Sequence, residues 1–214
     1  MIVSAHQPNF LPAWSVMSKI RASDAVIWLD EVQFTKGGYT NRQPLPGGGW
    51  VTVPVEKHCA FKPINRVRLA EPGLWRETVA TKLVGAWAGV GSELARDEIL
   101  KPYRLLVGLN MSLLRMLCHE LDIRAAWHMQ SHLDGGHAVV NVSEDREQLR
   151  PISERLALMV EEVGGTVYLS GPSGRNYLDE RPFAERGIEV RYWRHDGPNP
   201  CSLALFHELR EVAA

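Results

Sequence analysis

The sequence predicts an α/β fold: a mainly parallel sheet with flanking helices, a small antiparallel β insertion and a helical segment. Three observations lead there. Ile2-Val3-Ser4-Ala5 and Ala25-Val26-Ile27-Trp28-Leu29 are short apolar runs, the pattern of strands buried on both faces. Trp14 to Ile20 between them carries helix signals, and strand, helix, strand at this spacing gives two adjacent parallel strands. A further buried run, Thr166–Leu169, follows an amphipathic stretch stopped by Gly164-Gly165.

The remaining elements follow in order. Lys36-Gly37-Gly38-Tyr39-Thr40-Asn41-Arg42 leads into the turn Pro46-Gly47-Gly48-Gly49. Trp50–Val55 reads as a strand with Pro54 at an edge, and Val67-Arg68-Leu69 is expected to pair with it. Trp75 to Glu98 suits helix, weakened by Gly85, Gly89 and Gly91. Tyr103–Leu121 is the clearest helix, with Leu105, Leu106, Leu109, Leu113, Leu114 and Leu117 at helical spacing. Ile123–His128 is expected as a strand, Ser131–Arg150 as a loop or lid, and Ile152–Val163 as a helix. Ile188–Trp193 is the last strand and Leu203–Val212 a closing helix. With 214 residues, 45% of them hydrophobic, the chain fits one domain over 1–214. The β insertion falls at about 36–70 and the helical segment at about 75–121.

The composition excludes several classes. Lys and Arg number 24 against 25 Asp and Glu, so no basic field attracts a nucleic-acid backbone. No apolar run approaches the roughly 20 residues of a membrane span. Met1 to Ala5 lack a signal peptide's charged start and long apolar core. Three scattered cysteines, Cys59, Cys118 and Cys201, do not suit a disulfide framework. A cytoplasmic protein acting on a small-molecule substrate is expected.

Candidate chemistry gathers at strand ends, where α/β folds bind ligands. His6-Gln7-Pro8-Asn9 opens directly from the first strand: the imidazole can serve as acid or base, and Asn9 can donate to a developing oxyanion. The alternative is that both satisfy loop backbone groups. Asp30, with Gln33 beyond it, ends the second strand and can tune or orient a histidine, or simply form a turn. Asn41 and Arg42 lie between glycine turns; Arg42 can hold a carboxylate or phosphate, or be a solvated loop residue. Ser170-Gly171-Pro172-Ser173-Gly174-Arg175-Asn176-Tyr177 follows the third strand. Its small residues let backbone N–H groups approach an anion, although a tight turn explains them as well. His128, His132 and His137 have loose metal-like spacing, but no Cys or regular helix fixes them, so no metal is expected.

The motifs together resemble the WbqC-like protein family. The resemblance is carried by Ala5-His6-Gln7-Pro8-Asn9-Phe10-Leu11-Pro12-Ala13-Trp14, Leu29-Asp30-Glu31-Val32-Gln33-Phe34 and Asn41-Arg42. Trp50–Val55, Pro63-Ile64-Asn65, Ser153-Glu154-Arg155-Leu156 and Tyr168-Leu169-Ser170-Gly171-Pro172-Ser173-Gly174-Arg175-Asn176-Tyr177-Leu178-Asp179 continue it across nearly the whole chain. The chain departs from the pattern at Ser15-Val16-Met17 and after His195. The resemblance implies a cytoplasmic biosynthetic enzyme of surface-polysaccharide or natural-product pathways, modifying an amino sugar or other small amine. Among its matched positions are Gln7, Gln33, Asn41, Arg42, Tyr177 and Asp179.

Three functions compete. In an amide-forming acyl or aminoacyl transferase, His6 takes the amine proton, Asp30 orients it and Asn9 steadies the oxyanion. Arg42 or Arg175 holds an anionic handle of a nucleotide sugar or carrier-bound acyl donor. A nucleotidyl-transfer or ATP-dependent ligation enzyme is the second reading, because strand, His-x-x-Asn, helix is partly similar to His-x-x-His nucleotidyltransferases. A non-catalytic ligand-binding component of a biosynthetic complex is the third. The sequence fixes no cofactor.

Overall fold

The computed structural model describes residues 1–87, 89–136 and 146–205. The chain divides into two units. One comprises Met1–Gln7, Ser18–Gln33 and Arg124–Gly197; the other comprises Pro8–Met17, Phe34–Ile123 and Pro198–Ala214.

The first unit is built on a five-stranded sheet. Its strands are β1 (Ile2–His6), β2 (Ala25–Trp28), β5 (Ala126–Met129), β6 (Val167–Ser170) and β7 (Glu189–Tyr192). Their order is β5-β2-β1-β6-β7 and every pairing is parallel. The central strands are buried along their length, as uninterrupted apolar runs require. In register, Val3 lies beside Ala25 and Tyr168, and His6 beside Trp28. Helix α5 (Arg146–Glu162) packs one face: Leu156, Ala157, Met159 and Val160 form a core with Val3, Ala5, Ala25, Ile27, Tyr168 and Phe183. Phe183 comes from the short helix α6 (Arg181–Ala184) and stacks on Tyr168, ring centroids 5.0 Å apart.

Side chains alternate across a strand, so Ser4, His6, Val26 and Trp28 face away from the α5 core. The connection from β1 to β2 runs through helix α1 (Trp14–Arg21), whose Ser18–Arg21 end belongs to this unit and falls on that opposite face. The reason is handedness: β1 to β2 and β5 to β6 step across the sheet in opposite directions. Right-handed crossovers then place α1 and α5 on opposite sides.

The second unit holds helices α2 (Trp75–Ala86), α3 (Val90–Leu100) and α4 (Leu106–Glu120), and the antiparallel hairpin β3 (Arg42–Pro44) and β4 (Trp50–Thr52). Gly47, Gly48 and Gly49 in its turn have φ of 79°, 105° and 80°, a run only glycine accepts without strain. Fully buried Asn110 on α4 donates through Nδ2 to the Pro8 and Thr40 carbonyls, at 2.6 and 2.7 Å.

The predicted class is therefore observed, with several boundaries moved. The 75–98 helix is two helices, broken where Gly89 takes φ 143°. The 103–121 helix begins only at Leu106, because the preceding backbone is claimed by a bridge: Leu69 N–H donates to Arg104 and Leu106 N–H to Val67. Val67–Leu69 meets the Trp50 segment only at the Val55–Leu69 bridge, and β4 pairs chiefly with Arg42–Pro44. Ile123 leaves the expected strand because its N–H closes α4 on Cys118. Helix α5 starts six residues early and carries Pro151 inside it; a proline near a helix start forfeits a single backbone bond. The expected 131–150 loop thus holds two 3-10 turns and the start of α5, with 137–145 outside the described residues. The closing helix is a 3-10 turn at Ser202–Ala204, and beyond Leu205 the expectation lies outside the described residues.

Candidate active site

The sheet order reverses at β1: β2 and β5 lie on one side of it, β6 and β7 on the other. Open α/β sheets take ligands beyond the carboxyl ends of the strands at such a reversal, which here are the ends of β1 and β6. His6 is the last residue of β1, Ser170 the last of β6, and Asp30 follows β2 by two residues. Three groups singled out from the sequence thus stand at one edge of one sheet.

His6 is half-buried, and its Nδ1 lies 2.8 Å from the Gln7 carbonyl oxygen. A carbonyl only accepts, so this contact assigns the proton to Nδ1 and leaves Nε2 as the lone-pair nitrogen. Burial, reinforced by the Lys19 charge and opposed by the Gln7 bond, holds the imidazole pKa down to about 4. His6 is therefore neutral at ordinary pH.

Asp30 is buried and accepts from both Ser131 N–H (3.0 Å) and Ser131 Oγ (2.7 Å), which ties the end of β2 to the residues after β5. Gln7 is exposed and Gln33 half-buried in the same unit.

The turn after β6 winds through a 3-10 helix, Pro172–Asn176. Buried Ser170 donates to the Gly171 carbonyl (3.2 Å). A Cβ added at Gly174 would lie 2.1 Å from Ser170 Oγ, so this close approach requires glycine. Ser173 and Arg175 are exposed, with the Arg175 guanidinium 4.1 Å over the Tyr192 ring. Asp179 takes a three-bond contact from Arg181, as close as 2.6 Å, and its N–H donates to Ser153 Oγ. That geometry fixes a turn.

The other three expected residues belong to the second unit. Asn41 is buried and staples the hairpin through Nδ2 to the Val53 carbonyl at 2.9 Å. Arg42 lies with its guanidinium 4.0 Å over Trp50, which also faces Tyr39 at 6.0 Å. Asn9 is half-buried with its Oδ1 buried.

Two residues of the sheet unit were missed from the sequence. Lys19 is 5% exposed, and its Nζ donates to the Ala5 carbonyl at 3.1 Å. Burial lowers its pKa to about 8. Trp28 is fully buried beside His6 and meets Trp127 edge to face at 5.2 Å. A lysine flanking a helix's apolar stripe ordinarily snorkels to solvent, so periodicity gave no warning of Lys19. Trp28 read simply as strand core.

Among the described residues, no three His, Cys, Asp or Glu side chains gather as a metal-binding group. Cys59, Cys118 and Cys201 are buried free thiols. No described helix is long and apolar enough to cross a membrane.

The chain is 29% identical over 204 residues to the uncharacterized protein Rv1507c of Mycobacterium tuberculosis, covering 91% of this chain and 83% of that protein. No solved structure matches. The description "WbqC-like protein family" matches residues 7–200, spanning the strand-end loops and the hairpin, and the chain belongs to that family.

Proposed function

We propose that the protein is a cytoplasmic biosynthetic transferase that forms an amide, moving an acyl or aminoacyl group to an amino sugar or small amine. The observation that carries this reading is the convergence of His6 and Ser170 on the two strand ends flanking the point where the strand order reverses, with Asp30 on the next strand.

In this reading the amine nitrogen attacks the acyl carbon, forming the C–N bond as the carbonyl π electrons move to oxygen. The nitrogen becomes acidic once bonded, and its proton passes to His6 Nε2. Collapse of the oxyanion expels the leaving group, which takes that proton. The Gln7 carbonyl fixes the imidazole tautomer this requires. Asp30 and Ser131 hold the neighbouring strand ends in place. Open space at Gly171 leaves room for the acyl group, with Arg175 as an exposed cation for a phosphate-bearing carrier or nucleotide.

The test begins with a thermal-shift screen of nucleotide sugars and acyl-coenzyme A donors. Mass spectrometry then looks for amide product from the stabilising pairs. His6→Ala should abolish turnover with circular dichroism unchanged. A variant with wild-type turnover removes the assignment of His6, and product-free binding across all donors removes the transferase reading.

A further inference from the structure

We propose that Lys19 and Trp28 form the donor half of an oxyanion subsite beside His6, receiving a carboxylate or phosphate group of the ligand. The inference rests on the reading that ligands enter at this sheet edge, and it adds the charge such a ligand must carry.

Lys19 uses one of its three protons on the Ala5 carbonyl, at 3.1 Å. Among the described residues no carboxylate pairs with it, although the side chain is only 5% exposed. A buried ammonium without a counter-charge is costly, and proteins keep one where it meets an anion or gives up its proton. The indole supplies the second, independent observation. Trp28 Nε1 is a buried N–H with no acceptor among the described residues. Buried indole N–H groups normally find a partner.

Both donors belong to one neighbourhood. Trp28 sits beside His6 in the β1–β2 register, and both side chains point to the face on which α1 falls. Lys19 comes from α1 and anchors on Ala5, the residue before His6. The Lys19 charge is felt by the His6 ring. Two donors of different kinds, a cation with protons to spare and an indole N–H without an acceptor among the described residues, thus lie beside the end of β1 that carries the imidazole. An anion paired with Lys19 also cancels the repulsion that Lys19 exerts on a protonated His6. The charged end of the substrate then makes the imidazole a better base for the amine end.

The test follows the indole N–H resonance of Trp28 by NMR, assigned among the seven tryptophans by Trp28→Phe. The wild type is titrated with sodium acetate, inorganic phosphate or sodium chloride at constant ionic strength, with thermal melts in parallel. Acetate or phosphate should move the Trp28 signal saturably. At a tenfold excess over Kd it should raise Tm by about 3–6 °C. Chloride should do neither. Response to acetate alone identifies a carboxylate, and to phosphate alone a phosphoryl group. Lys19→Met should weaken the response by about tenfold or more, and Lys19→Arg should keep part of it, so a variant that misfolds does not decide the matter. A Trp28 signal indifferent to both anions, or an undiminished response in a folded Lys19→Met, overturns the subsite. This titration needs no turnover. Loss of the anion response with amide formation intact therefore removes only the subsite, and the reverse removes only the transferase.

Discussion

Lys19→Met is expected to stabilise the protein at neutral pH. Burial takes the ammonium pKa from 10.5 to about 8, and each tenfold change in a proton equilibrium is about 1.4 kcal/mol. The folded state therefore carries a deficit of about 3 kcal/mol wherever the unfolded chain holds the lysine proton. The sign follows from the proton count. Between pH 8 and 10.5 the unfolded chain binds a proton that the folded protein has released, so stability rises with pH across that window. The deficit is complete below pH 8 and absent above 10.5. Methionine replaces the aliphatic stem with a similar unbranched chain but loses the bond to the Ala5 carbonyl, at about 1 kcal/mol. The net gain is about 2 kcal/mol at pH 7, or about 4–8 °C in Tm for a chain of this size. Urea unfolding of both proteins at pH 7 and pH 10.5 measures it. The gain should vanish or change sign at the higher pH. A Lys19→Met protein less stable than wild type at pH 7, or a difference unchanged by pH, would refute the reasoning.

Other perturbations follow from the same geometry. His6, with its pKa lowered to about 4 from 6.5, binds its proton later than the unfolded chain does. Its contribution is whole above pH 6.5 and lost as pH falls towards 4; with screening at its half-open position this is about 2 kcal/mol, and His6→Asn should flatten that part of the stability–pH curve. Asn110→Leu removes the donor shared by the Pro8 and Thr40 carbonyls and should cost about 2–4 kcal/mol in chemical denaturation. Gly174→Ala drives a methyl into Ser170 Oγ and should cost about 1–3 kcal/mol, with hydrogen exchange quickened at 170–177. Asp30→Ala leaves the Ser131 N–H and hydroxyl unpaired and should cost about 2–3 kcal/mol.

The sheet was legible because its central strands β1, β2 and β6 are short, largely apolar runs and its first helix lies between two of them. Parallel pairing of β1 and β2, and polar groups at their ends, follow from that arrangement alone. What escaped depends on contacts distant in sequence. The start of α4 is set by the Val67 and Arg104 carbonyls, which no local helix rule contains. The grip of Arg181 on Asp179, two positions away, depends on the tight turn that brings them together. Lys19 escaped because its burial is decided by the strand it lies against, and a short amphipathic helix does not reveal which flank the sheet covers. His6 ends β1 where the apolar run stops, but its tautomer is set by the Gln7 carbonyl, which no sequence pattern reveals.

Amide hydrogen exchange, comparing the protein alone with its most stabilising small-molecule ligand, tests most directly whether the carboxyl ends of the parallel strands take substrate. Protection should concentrate in peptides covering Ala5–Gln7, Leu29–Glu31 and Ser170–Tyr177. Protection confined to other segments, with these three unchanged, would contradict the placement of the site.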